Sequence, residues 1–156
     1  MAATYLKSVA GIQVDNRSYL FYIKENQRLA YYKSEETADY DGPFDVKLDQ
    51  SRDPIVPDAN TPISAVTWRA PSSHKYEIRV YYIQNGYLRE LMSNTGDGKW
   101  HEGQLTEQNI SVGPGTGLSS VFNDYLQVYF TSAQDRNNLV VWNTKSGHWS
   151  HDVVSK

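Results

Sequence analysis

The sequence predicts an all-β fold, a β-propeller of three four-stranded blades, and three observations carry that expectation. Runs of Val, Ile, Tyr and Phe recur between Gly, Asn, Asp and Pro, the composition of short strands separated by turns. The runs come in the same order three times, at intervals of about 50 residues, the period of a four-stranded blade. Each copy also closes on an aromatic residue near a glycine.

The middle copy is the fullest. It opens with Pro62-Ile63-Ser64-Ala65-Val66-Thr67-Trp68 and continues through Ile78-Arg79-Val80-Tyr81-Tyr82 and Gly86-Tyr87-Leu88-Arg89-Glu90-Leu91. It closes with Gly98-Lys99-Trp100-His101-Glu102-Gly103-Gln104-Leu105. The third copy runs Gly117 to Val121, Leu126 to Phe130, Asn138 to Trp142, and Gly147-His148-Trp149. The first copy is worn: Val9 to Ile12, Tyr19 to Tyr22, Gln27 to Tyr31, and Gly42-Pro43-Phe44, with Phe44 read in the place of the closing Trp. Blades are expected at about 5–57, 58–113 and 114–156 of a single domain spanning 1–156.

The Pro-rich stretch Asp53 to Pro62 and the Gly-rich stretch Ser111 to Gly117 read as inter-blade loops. The acidic stretch Glu35 to Asp41 reads as a solvated loop without the spacing of a calcium loop. Propellers close with four to eight blades, so three are expected to close as six in a two-fold homodimer.

Composition narrows the function. The chain has no cysteine, which excludes disulfides, thiolate nucleophiles, Cys-zinc sites and iron–sulfur clusters. A net charge of −3 argues against nucleic acid as a partner. No apolar run approaches the ~20 residues of a membrane helix, so no membrane insertion is expected. Residues 1–7 lack the pattern of a secretory signal, and a cytoplasmic protein is the expectation. The four histidines form no metal motif, and no cofactor is implied.

Ser64 to Trp68, Ile78 to Tyr82, Leu88-Arg89-Glu90 and Lys99-Trp100 through Leu105 resemble the fungal fucose-specific lectins, a family of six-bladed propellers. The resemblance is strongest over 61–121 and fades over 1–60. It implies sugar sites between adjacent blades, with an Arg and a Glu from one blade and aromatics around the closing Trp of the next. Arg79 and Glu90 would then face Trp149, with Trp142 or its neighbours as a second wall. Tyr19 and Tyr31 stand at the Arg and Glu places of the first blade, and Gln127 and an apolar residue near Val141 at those of the third. Both of those sites therefore read as lost.

The chemistry of the middle constellation stands by itself. Arg presents planar donors, Glu accepts hydroxyl protons, and an indole covers the apolar face of a sugar. Against it stand a plain cross-strand ion pair for Arg79 and Glu90, and blade-core packing for Trp100 and Trp149. Trp68 is expected to pack between blades.

The expected function is a fucose-binding lectin for fucosylated glycans. The alternative is a natural-product pericyclase in the same fold, acting on a small molecule in an aromatic pocket. No nucleophile motif points to hydrolysis, and enzyme activity stays open with the balance against it.

Overall fold

The computed structural model describes residues 8–36 and 39–155. The opening segment 1–7, and Thr37 and Ala38 of the acidic stretch, lie outside the described residues. Three four-stranded antiparallel sheets follow one another along the chain. The first holds β1 (Val9–Val14), β2 (Arg17–Ile23), β3 (Leu29–Ser34) and β4 (Tyr40–Asp45). The second holds β5 (Ser64–Arg69), β6 (Tyr76–Gln84), β7 (Tyr87–Asn94) and β8 (His101–Glu102). The third holds β9 (Ser119–Asn123), β10 (Tyr125–Ser132), β11 (Asn138–Asn143) and β12 (Ser150–Val153).

Within each sheet consecutive strands pair, so each is a simple meander. Hairpins this tight need residues that accept positive φ. Asn85 (φ 54°) and Gly86 (φ 76°) join β6 to β7 as an Asn-Gly turn whose twist suits the flanking strands. The innermost strands β1, β5 and β9 lie side by side. Ser64 and Ser120 share a hydroxyl hydrogen bond of 2.7 Å there. The three sheets are the predicted blades.

Alternation along each strand sends successive side chains to opposite blade faces. Ile78, Val80, Tyr82 and Leu91 face the first blade and join Phe21, Leu29 and Val46 in one core, capped by Trp100. Val66, Tyr81, Ile83 and Leu88 face the third blade and join Leu126, Val128, Phe130, Val140 and Trp142 in a second. Two seams between three blades thus hold the hydrophobic core.

The predicted inter-blade loops sew the seams. In the first loop the Ile55 carbonyl accepts from the Leu29 N–H of the first blade (3.0 Å), and Asp58 donates to the Ile83 carbonyl of the second (2.9 Å). In the second loop, which follows a 3-10 turn at Thr106–Gln108, Val112 donates to the Gly86 carbonyl of the second blade (3.1 Å) and Gly113 to the Thr131 carbonyl of the third (2.7 Å). The acidic stretch is shorter as a loop than expected, because Tyr40 and Asp41 already pair in β4 with Ser34 and Lys33.

The ladders correct one equivalence. Glu90 stands opposite Tyr81, Tyr31 opposite Phe21, and Val141 opposite Tyr129, so these three share one place in their blades. In β4 the register shifts by one residue between Tyr31 and Lys33, because a bulge inserts an extra residue. Phe44, on the other side of that bulge, pairs with Tyr31, the position Gly103 holds against Glu90. Tyr40, paired with Ser34, takes the place of the closing Trp, and the reading of Phe44 there does not hold.

Candidate functional site

Glu77, Arg79 and Tyr81 alternate along β6 onto the face turned to the third blade, and Glu90 on β7 lies across from Tyr81. The structure brings Arg79 and Glu90 together: Arg79 Nε lies 3.7 Å from Glu90 Oε1. Arg79 Nη1 also donates to Glu77 Oε2 (3.1 Å) and to the Ile78 carbonyl (3.0 Å). Nη2 of Arg79 donates no hydrogen bond among the described residues. The guanidinium carbon sits 5.0 Å from the centre of the Trp68 ring, and Trp68 stacks on Phe122 of β9 at 4.4 Å, nearly parallel. Trp68 therefore packs between blades, as the sequence suggested, and also carries the arginine.

Glu90 is held from several sides. The Tyr81 hydroxyl donates to Oε1 (3.1 Å) and the Leu105 N–H to Oε2 (3.0 Å). Its side chain is only 3% exposed. Burial pushes its carboxyl above the usual carboxylate range, while the Leu105 N–H, the Arg79 charge and the Tyr81 hydroxyl pull the other way. Burial, reinforced by the Glu90 charge, drives the Tyr81 phenol far above its ordinary value, so it remains a neutral donor. Gly103 leaves the room: a Cβ there would collide with the Glu90 carboxylate.

Trp149 lies on the third blade and packs, partly exposed, against the second-seam core. Trp142 is 91% buried in that core, facing the second blade, and stacks on His151 at 4.8 Å. It occupies the place of Leu91 in the blade before it, a core position, and its indole N–H is buried without a partner. The Arg and Glu places of the other blades are as read from the sequence. Tyr19 pairs with Lys33 as Arg79 does with Met92, and Gln127 with Asn143. Gln127 donates to the Tyr129 hydroxyl (3.0 Å).

Sequence reasoning missed Glu77, Tyr81, Gly103 and the Leu105 N–H. Period-two alternation from Arg79 was the available signal for Glu77 and Tyr81. The glycine three residues after Trp100 carried no such signal until the register was known.

The sequence matches no family model and no curated protein. The fold, however, has close counterparts among solved structures. A lectin from Aleuria aurantia, described as a six-bladed β-propeller with its own mode of fucose recognition, superposes with a TM-score of 0.70 at 18% identity. That match covers 94% of this chain and 47% of the other, so this chain spans a little under half its length. A fucose lectin from Kordia zhangzhouensis, solved with methyl-fucoside, gives a TM-score of 0.65 at 20% identity, covering 95% of this chain and 99% of that one. A Burkholderia pseudomallei lectin gives 0.67 at 13% identity, over 97% of this chain and 42% of its own. The chain has the fold of the fucose-lectin propellers, in a stretch of three blades.

Proposed function

We propose that the chain is a fucose-binding lectin that recognises fucosylated glycans in the seam between its second and third blades. The observation that supports this most is the Arg79–Glu90 pair at that seam, with Gly103 giving the Glu90 side chain its room and Trp68 backing the arginine, in a fold shared with lectins solved on fucose ligands. Glu90 accepts sugar hydroxyls, the Nη2 end of Arg79 donates to ring or hydroxyl oxygens, and Trp149 covers the apolar face and methyl group. Burial of that face is worth on the order of 25 cal/mol per Å². Trp142 serves this reading as part of the packed seam that supports Trp149. The pericyclase alternative draws no support from the structural neighbours described above, which are lectins.

Calorimetry with methyl fucoside tests the reading. One sugar per chain is expected, because only the second blade keeps both the Arg and the Glu. A ratio near three would show that Tyr19/Tyr31 and Gln127/Val141 also build sites. No heat at millimolar ligand, with the protein folded, would overturn the lectin assignment.

The same reading includes a homodimer that closes six blades. The face of the third blade turned away from its core carries Val121 at 42% exposure and Leu139 at 36%, an apolar surface suited to burial against a first blade. The Kordia lectin matches over the same extent of chain. Light scattering should give about twice 17.8 kDa at micromolar concentration. A monomer under those conditions would refute the closure.

A further inference from the structure

The first seam holds a cavity of about 240 Å³ that lacks the fucose groups yet is lined by other chemistry. Its volume falls just below the range of pockets for drug-sized ligands, which suits one small ring. Tyr19 and Tyr31 stack on one side, with ring centres 5.9 Å apart and planes 21° apart. Trp100 meets Tyr31 from the second blade at 5.9 Å. Burial raises both phenols above their ordinary value, so each stays a neutral hydroxyl able to donate and accept.

The charge at this seam is reversed relative to the second. Arg17 occupies the register position of Glu77, and Lys33 that of Met92. Arg79 faces two carboxylates, Glu77 and Glu90. Arg17 and Lys33 instead share one, Glu35, at 2.8 Å and 3.9 Å. Within ion-pair distance the two cations share a single carboxylate, Asp41 standing opposite Lys33 in the ladder without an ion pair to it, and both cationic groups are partly exposed. A second depression of about 270 Å³ continues past Arg17 and Tyr19, but Asp15 and Glu36 line it. An extended polyanion would meet those acids, so the anion must be single and sit at the Arg17–Lys33 end.

From this juxtaposition we infer that the first seam is a second ligand site, selective for a pyranose ring bearing one carboxylate or sulfate. The ring lies against the Tyr19, Tyr31 and Trp100 faces, and its anionic group meets Arg17 and Lys33. Aromatic faces supply the apolar contact and the paired cations supply the charge-assisted hydrogen bonds. This site is separate from the one proposed for fucose and does not depend on it.

Calorimetry on the full chain, with methyl fucoside present at saturating concentration, tests the inference. The probes are methyl glucuronide, glucose 6-sulfate and the neutral methyl glucoside. At least one anionic sugar should bind once per chain, at least tenfold more tightly than the neutral one. Which of the two binds tells carboxylate from sulfate. The double variant Arg17→Gln/Lys33→Gln should weaken that binding at least tenfold and leave methyl fucoside binding as in the parent, whether or not fucose binds at all. In the parent protein the titration should shift the indole resonance of Trp100 and leave that of Trp149 in place. Equal binding of the neutral sugar, no heat from either anion at millimolar concentration, an unaffected double variant or movement of Trp149 instead would each overturn it.

Discussion

Phe21→Ala is expected to destabilise the chain by about 3–5 kcal/mol, the cost of truncating a fully enclosed aromatic. Phe21 is 0% exposed at the centre of the first seam. It meets the edge of Trp100 from the second blade at 5.7 Å and 87°, and packs with Tyr31 at 5.7 Å. Its loss would remove the residue that both blades share, so the deficit falls on the docking of blades as well as on one sheet. Folded domains have roughly 5–15 kcal/mol in total, so this is a large fraction. For a chain of this size each kcal/mol moves the melting temperature by about 2–4 °C. Thermal melts at matched protomer concentration should therefore fall by roughly 6–20 °C. A change within 1 kcal/mol of the parent would show that the first seam is not where the chain is held together.

Arg79→Ala is expected to remove methyl fucoside binding by about ten- to a hundredfold, as loss of a charged hydrogen-bonding partner costs roughly 1.5–3 kcal/mol. The variant also strands Glu90, whose carboxyl is already raised by burial and held down partly by the arginine. Without Arg79 the native state holds the Glu90 proton more tightly than the unfolded chain does. That stabilisation is present in acid and is lost as pH rises through the raised folded value. The stability deficit of the variant should therefore be small in acid and grow toward neutral pH. Arg79→Lys separates the two effects. It keeps a cation beside Glu77 and Glu90 but loses the planar fork, so it should restore stability and still bind weakly. Gln127→Ala should bind as the parent does. Parent-like binding by Arg79→Ala would place the sugar elsewhere.

The blade count, strand order and inter-blade loops were legible because period-two alternation and turn residues repeat in each copy. Arg79 and Glu90 were legible as a pair because adjacent strands bring second-strand and third-strand positions together. Phe44 was misplaced because Gly42-Pro43-Phe44 has the same glycine-to-aromatic spacing as Gly98-Lys99-Trp100, yet Gly42 lies inside β4 whereas Gly98 lies in the turn before β8, so the same local pattern falls on different rungs of the two ladders. Trp142 shows the other limit. A tryptophan at a core rung and one at a rim look alike in sequence, and only the face it points to separates them.

The collision that a Cβ at position 103 would cause with Glu90 has a consequence for how such sites are lost and regained. In the first blade the rung opposite Tyr31 is Phe44, and in the third the rung opposite Val141 is Asp152. Neither blade keeps a glycine where the second does. Returning a glutamate to position 31 or 141 alone would press it against a ring or another carboxylate, whereas Phe44 and Asp152 are exposed, so a glycine in place of either would leave little space unfilled. The carboxylate thus depends on the glycine, while the glycine does not depend on the carboxylate. A seam of this kind can regain its carboxylate in one order only, the glycine first and the glutamate after it.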